Sequence, residues 1–174
     1  LKFTRRVLKT KDDPATRLPA GGRLKRRKKV FLDRDSDNGT VCLRQTESGG
    51  GMKKITVHLG ARSYQIVIAR GALSALGRLL KPLKLGSKVL VVSNKRVARH
   101  FLGPVGRSLT HAGFKTEHYL LPHGNERDKS ERVLIELWKQ MAEIGLDRSS
   151  TVVALGGGVV GDVSGFAAST YMRG

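Results

Sequence analysis

The sequence has a single cysteine, Cys42, and no long apolar run. One cysteine cannot form an intrachain disulfide, and without neighbouring cysteines it cannot found a cysteine-based zinc site. No stretch approaches the roughly 18 apolar residues that a membrane helix needs. The first residues also lack the apolar core of about 7–15 residues that marks a secretory signal. We therefore expect neither a membrane partner nor a secretory signal.

Acidic residues are scarce: 14 Asp and Glu stand against 33 Lys and Arg, a formal net charge of +19. Residues 1–51 carry a disproportionate share of that excess, including the run "RLKRRKKV" at residues 23–30. Such a run can bind phosphate backbones through counterion release, so nucleic-acid binding is one alternative function. The run lacks interleaved aromatic residues and a recognisable nucleic-acid fold. We therefore interpret residues 1–51 as a disordered basic leader or a non-native extension, leave them out of the fold, and expect no nucleic-acid partner.

From Met52 onward the sequence is patterned. Two β-rich runs, residues 54–59 and 64–69, flank the turn-like "GARS" and predict a hairpin. The leucine spacing of "GALSALGRLLKPL" predicts a helix that ends at Pro82. The segment "SERVLIELWKQMAEIG" predicts another, with Ser130 as its cap, one apolar stripe, and Gly145 as its stop.

Two further apolar runs, residues 87–94 and 150–155, predict buried strands, and residues 114–121 are predicted as a strand between them. A helical pattern follows each of them, although we expect Gly103 and Pro104 to split the first of these helices in two. Strands that alternate with helices predict an α/β fold over residues 52–174: a Rossmann-like parallel sheet with flanking helices, preceded by the β-hairpin.

Ligands of such sheets bind at the carboxyl ends of the strands. Three segments follow strands and so meet at that edge: residues 93–94, 121–129 and 156–162. Their common location predicts one shared site.

The last of these segments is glycine-rich, and Gly156, Gly158 and Gly161 satisfy G-x-G-x-x-G between a strand and a helix. Glycine permits φ > 0 and close approach of a ligand to the backbone, and a helix N-terminus suits a pyrophosphate. We place Asp162 in the first helical turn, where it could cap N–H groups or accept a hydrogen bond from a ligand hydroxyl. The alternative is a tight turn without a ligand. The usual dinucleotide loop follows the first strand of its sheet, whereas this one follows the third of the alternating series.

The segment "VALGGGVVGDVSGFAASTYMRG" (residues 153–174) resembles the signature of 3-dehydroquinate synthases. The likeness extends back through "LPHGNERDKS" and "VLVVSN" to "ITVHLGARSYQIVIARGAL". It implies conversion of 3-deoxy-D-arabino-heptulosonate 7-phosphate to 3-dehydroquinate and phosphate in the shikimate pathway, with catalytic NAD and a divalent metal, zinc or cobalt. It also implies a cytoplasmic location, with a plastid as the alternative. A related sugar-phosphate cyclase is the alternative within the superfamily.

The resemblance places seven residues of this chain at the NAD site: Asn94, Glu126, Lys129, Gly157, Gly158, Val159 and Asp162. Asn94 matches the contact to the adenosine side of NAD. Glu126 and Lys129 match a pair that grips the ribose and neighbouring groups. The two glycines and the valine match the backbone that cradles the pyrophosphate, and the aspartate lies behind them.

Arg173 matches an arginine that reaches the substrate phosphate, commonly across a dimer interface. A phosphosugar substrate and a homodimer are therefore implied. One departure from the family loop is Asn125, which separates Gly124 from Glu126. Because asparagine tolerates φ > 0, we expect Asn125 to stand in for the glycine.

The metal ligands of the family, a glutamate and two histidines, belong to a helical C-terminal domain that would lie beyond residue 174. We therefore interpret the chain as a fragment that is inactive alone and contains no metal ligand. Its five histidines are then not those ligands: His58, His100, His111, His118 and His123.

Overall fold

The structure is a computed structural model that describes residues 2–3, 42–48, 52–60 and 63–173. It divides into two compact units, one of Arg6–Ala72 and one that joins Leu1–Arg5 to Leu73–Gly174. The second unit carries the three segments that the sequence places at one sheet edge.

The first unit contains a three-stranded antiparallel sheet of β2 (Cys42–Ser48), β3 (Met52–His58) and β4 (Tyr64–Ile68), in that spatial order. The turn after β3 has Gly60 at φ +56°, a conformation that favours glycine. The hydroxyl of Ser63 donates to the Gly60 carbonyl at 2.6 Å and closes this turn. The predicted hairpin is confirmed as the β3–β4 pair.

Strand β2 lies inside residues 1–51, which the sequence analysis left out of the fold. It pairs with β3 from Ser48 opposite Met52 to Cys42 opposite His58. The sequence did not predict this strand, because "CLRQTES" contains no apolar run and only a weak alternation of apolar and polar residues. The basic run at residues 23–30 lies outside the described residues, and the boundary at residue 51 stays a prediction.

The second unit contains a parallel sheet of β1 (Lys2–Phe3), β5 (Lys88–Asn94), β6 (Lys115–Leu121) and β7 (Thr151–Leu155). Their order across the sheet is β1-β7-β5-β6, which confirms the predicted α/β class. Strand β5 pairs on both sides and is buried from its second to its sixth residue. Burial on both faces explains its nearly continuous apolar sequence.

Four helices accompany this sheet: α1 (Leu76–Leu80), α2 (Lys95–His111), α3 (Glu131–Glu143) and α4 (Gly158–Thr170). Helices α3 and α4 contact each other and share one cluster of buried residues with β5, β6 and β7. Its helical members are Val133, Leu137, Met141, Val160, Val163, Ala167 and Ala168. Helix α2 contacts α1 and the same three strands and buries Val105 and Leu109. The short α1 continues into a 3-10 turn, Lys81–Leu83, that contains Pro82.

The predicted break at Gly103 and Pro104 is wrong, because α2 runs through Pro104 as one helix. Proline removes one helical hydrogen bond, here the bond to the carbonyl of His100. His100 is exposed, so water can hydrate that carbonyl. Val105 and Leu109, which follow the proline, are fully buried and keep the next turns of α2 packed against the core.

Helix α3 has the predicted ends. The Ser130 hydroxyl accepts from the Val133 amide at 3.5 Å, and Gly145 follows the helix at φ +63°. The Trp138 indole donates to the Ala167 carbonyl at 3.3 Å, which ties α3 to α4. The stripe predicted for this helix is therefore confirmed as core packing.

Candidate functional site

The glycine-rich segment forms the turn from β7 into α4 at the carboxyl edge of the parallel sheet. Gly157 is the N-cap of α4, and among the described residues no side chain caps the first helical amides. Residues 156–158 are exposed. The amides that open α4 therefore face solvent as hydrogen-bond donors, at the positive end of the helix dipole.

Space, rather than backbone conformation, explains the glycines of this turn. A Cβ on Gly156 would lie 2.5 Å from Cγ2 of Val160, so a side chain there collides with the first turn of α4. A Cβ on Gly157 or Gly158 would meet nothing within 4 Å. None of the three has a positive φ, so the positive φ that the sequence analysis allowed for is not used here. The turn leaves open space in front of its amides.

The strand order explains why a phosphate-type turn can follow the third strand of the series. Because the order is β7-β5-β6, the strand that carries the turn lies beside β5, the first strand of the alternating series. The chain leaves β5 for β6 on one side and returns to β7 on the other. Ligands of doubly wound sheets bind at this kind of switch point. The Ser93 hydroxyl donates to the Leu155 carbonyl at 2.7 Å and joins the two strand ends there.

Asn94 ends β5 at the same edge and has a structural task that the sequence analysis did not foresee. Its Oδ1 accepts from the Val97 amide at 2.9 Å and caps α2. A Cβ on Gly124 would lie 3.2 Å from Cβ of Asn94, so the loop after β6 packs against this residue. The side-chain Nδ2 of Asn94 remains available as a donor.

The loop after β6 corrects one prediction. Gly124 takes the positive φ, +72°, whereas Asn125 is extended at φ −140°. Asn125 therefore does not stand in for the glycine. Its Oδ1 accepts from the Arg127 amide at 3.0 Å, and it caps a short 3-10 turn, Glu126–Asp128. A side-chain-to-backbone bond of this kind is a common use of asparagine in turns.

Asp128 is a fully buried carboxylate that sequence reasoning missed. Its oxygens accept from the Gly124 amide at 2.6 Å, the His123 amide at 3.1 Å and Nδ1 of His123 at 2.9 Å. Burial raises the pKa of Asp128, but the bonds from His123 and Gly124 outweigh it and lower the pKa below its ordinary value. Asp128 is therefore ionised at neutral pH. An acidic residue in a glycine-containing loop is a weak signal for such bonds, and the sequence does not reveal the burial.

Lys129 joins the loop to α4. Its Nζ lies 2.9 Å from Oε2 of Glu126 and 3.0 Å from Oδ2 of Asp162. Hydrogen bonds to Glu126 and Asp162 raise the pKa of Lys129. Asp162 is the fifth residue of α4, so its predicted place in the first turn is wrong, and its carboxylate pairs with Lys129. The three segments predicted to share a site therefore do meet.

A cavity of about 300 Å³ adjoins this ion pair. Lys129 and Asp162 line it together with Leu134, Val163 and Phe166. Phe166 is half exposed. The arrangement places an apolar wall beside charged groups and open amides.

Arg173 lies apart from these residues. Its backbone belongs to a 3-10 turn, Tyr171–Arg173, at the far end of α4, and its side chain lies outside the described part of the chain. A 13-residue helix is about 20 Å long, so this turn is far from residues 156–158. The Tyr171 hydroxyl donates to the Leu146 carbonyl at 3.4 Å, before β7 begins. Arg173 therefore belongs to the opposite edge of the sheet.

Within the described ranges, no group of three or more His, Cys, Asp or Glu side chains is arranged to hold a metal ion. In the same residues, no helix is both long and apolar enough to span a bilayer.

Known proteins resemble this chain in sequence. A family model described as 3-dehydroquinate synthase N-terminal matches residues 118–174. The 3-dehydroquinate synthase of Acaryochloris marina is 50% identical over 125 residues, which cover 69% of this chain and 33% of the relative. That of Geotalea uraniireducens is 45% identical over 123 residues, with 71% and 34% covered. The chain thus spans about a third of the length of these curated relatives.

The fold has solved counterparts. A 2-deoxy-scyllo-inosose synthase, in complex with carbaglucose-6-phosphate, NAD+ and Co2+, matches with a TM-score of 0.59 and 19% identity. The match covers 70% of this chain and 32% of that one, and at this identity it supports the fold alone. Sequence matches of 45–50% to several synthases are the stronger finding. Over about 70% of its length the chain is similar to 3-dehydroquinate synthases, and residues 118–174 match the model of their N-terminal part.

Proposed function

We propose that this chain is the NAD-binding part of a 3-dehydroquinate synthase and that the turn of residues 156–158 holds the pyrophosphate of NAD. The observation that carries the proposal is the open space in front of Gly157 and Gly158, beside helix amides that no side chain caps. A pyrophosphate needs several converging donors and close access to the backbone, and this turn offers both. Val159 contributes the next amide.

The charged groups around the turn fit the sugars of a dinucleotide. Glu126 and Asp162 are acceptors, so each can receive a hydrogen bond from a ribose hydroxyl. Lys129 lies between them and partly offsets their negative charge beside a bound pyrophosphate. The free Nδ2 of Asn94 can donate to the adenosine side. These roles follow the family resemblance and use the donors and acceptors that the structure leaves exposed.

Bound NAD would supply reversible hydride transfer, and the protein would supply placement and charge. The proposed substrate is 3-deoxy-D-arabino-heptulosonate 7-phosphate, as the family resemblance implies. The described residues do not fit the zinc or cobalt of the proposed enzyme, so we derive no metal step from them. The cytoplasm remains the expected location.

Arg173 is proposed to bind the phosphate of the substrate that occupies the site of a second copy of the chain. The backbone turn that contains Arg173 lies at the opposite end of α4 from residues 156–158, and this separation supports an assignment to the site of a second copy. A homodimer that joins the two ends would place Arg173 at that site. Guanidinium groups suit phosphate because they donate two parallel hydrogen bonds.

Titration of the 174-residue chain with NAD+, followed by calorimetry and amide NMR, tests the binding proposal. We expect the largest shifts at the amides of Gly157, Gly158 and Val159. Gly158→Val should fill the open space and weaken binding, whereas Gly161→Ala adds a methyl group on the same helix and should not. No binding, or shifts centred on the turn at Gly60, would contradict the proposal.

The reaction is tested separately. The chain is mixed with the heptulosonate phosphate, NAD+ and Zn2+, and phosphate release is followed. We expect no sustained release from the chain alone, because the described residues offer no metal site. Sustained turnover would show that the chain suffices for the reaction.

A further inference from the structure

Asp128 is buried inside a loop whose other residues are exposed from His123 to Lys129. A buried charge is costly unless hydrogen bonds compensate for it. Its carboxylate receives the three bonds from His123 and Gly124, so the cost is met by donors within the loop itself. Because an ionised carboxylate only accepts, Nδ1 of His123 must carry the hydrogen of their shared bond. Asp128 therefore links the first residues of the loop to its last.

The loop is held at two places. At its start, Gly124 packs against Asn94 at the end of β5. At its end, Lys129 reaches Asp162 on α4. The 3-10 turn Glu126–Asp128 also contacts α4 directly. Asp128 lies between these attachments and next to Lys129 in the chain.

We propose that Asp128 is a positioning residue, whose buried carboxylate fixes this loop so that Lys129 reaches Asp162 beside the opening turn of α4. The proposal rests on the proposed NAD site and deepens it. Asp128 itself touches no ligand. It fixes the loop backbone that begins at Gly124 and thereby places Lys129, which makes the contact with α4.

The test compares Asp128→Asn with Asp147→Asn in the full 174-residue chain. Asparagine at position 128 directs an amide N–H toward a cluster of donors, so the loop cannot keep its shape. Asp147 is a matched control, because it also accepts several hydrogen bonds, from Ser149 and Ser150, but lies before β7 at the opposite edge. We expect Asp128→Asn to weaken NAD+ binding about tenfold, or about 1.4 kcal/mol. Asp147→Asn should lower the thermal midpoint and leave the affinity within about twofold.

A double-mutant cycle with Lys129→Met separates positioning from general destabilisation. If Asp128 acts through Lys129, Asp128→Asn costs little further affinity once Lys129 is absent. Independent, additive losses would overturn the proposal. So would unchanged NAD+ binding in Asp128→Asn, or an equal loss in Asp147→Asn.

Hydrogen exchange measured without ligand gives a second readout, and it tests the positioning role even if the unmodified chain does not bind NAD+. Failure to bind NAD+ would contradict the proposed function but not the positioning role. Asp128→Asn should speed exchange in residues 122–130 and also at residues 158–163 of α4, whereas a change confined to the loop would overturn the positioning role. If Asp128→Asn does not fold, His123→Ala removes one of the three bonds and should produce the same pattern more weakly; no change at α4 would again overturn it.

Discussion

The Cβ that Gly156 lacks would lie 2.5 Å from Cγ2 of Val160, one turn ahead on α4. Val160 is almost fully buried and cannot move aside freely. We expect Gly156→Ala to lower the free energy of unfolding by about 1–3 kcal/mol, the usual cost of overpacking. Urea denaturation measures this.

Gly161→Ala is the matched comparison, because a Cβ there meets nothing within 4 Å. Inside a helix, alanine is favoured over glycine by about 0.5–1 kcal/mol, so this variant should be more stable than the parent. Equal effects of the two substitutions would contradict the role assigned to the Val160 contact.

Lys129→Met should weaken NAD+ binding several-fold while changing stability little. Lys129 is 40% exposed, and exposed ion pairs contribute little to folding. Lys139→Met is the control, since Lys139 forms a similar pair with Glu136, at 3.0 Å and also with a partner three residues away. If calorimetry gives both variants the same affinity for NAD+, Lys129 has no part in the site.

Pro104→Ala should stabilise the protein by about 1–2 kcal/mol, because it restores the helical bond to His100 in α2. The gain is smaller than the full penalty for proline, since proline also restricts the unfolded chain. Urea denaturation of the two proteins decides the sign. A less stable variant would mean that packing of the proline ring outweighs the missing bond.

We expect the hydrogen-bonded carboxylate of Asp147 to stabilise the fold in a way that is lost in acid. Hydrogen bonds from Ser149 and Ser150 lower the pKa of Asp147 to about 2. An aspartate in the unfolded chain titrates near about 3.9, so the contribution is complete above that pH and is lost as the pH falls toward 2. Asp147→Asn should therefore flatten the dependence of the urea midpoint on pH between about 4 and 2. An unchanged slope would contradict this assignment.

The sequence predicts the parallel sheet well where burial leaves a clear pattern. Strand β5 is buried on both faces and reads as a continuous apolar run, and α3 shows its stripe, its serine cap and its glycine stop. The shared location of the three segments was predicted because the carboxyl ends of parallel strands lie at one edge of the sheet. The Lys129–Asp162 pair joins two of these segments.

The features that escaped prediction depend on tertiary contacts. Pro104 stays inside a helix because packing on either side outweighs its local penalty. Asp128 looks like an ordinary polar loop residue until the loop folds over it. Asn125 and Gly124 both tolerate a positive φ, and the tertiary fact that a Cβ on Gly124 would lie 3.2 Å from Cβ of Asn94 is absent from the sequence pattern.

The strand order has a consequence for synthesis on the ribosome. Strands β5 and β6 can pair as soon as both have emerged, but the second edge of β5 waits for β7, which follows about 60 residues after β5. Until then a row of unpaired backbone groups on an apolar strand is open to other nascent chains. Slowing translation once β5 and β6 have emerged but before β7 emerges should lengthen that exposure and promote aggregation, whereas a delay after β7 has emerged should be harmless.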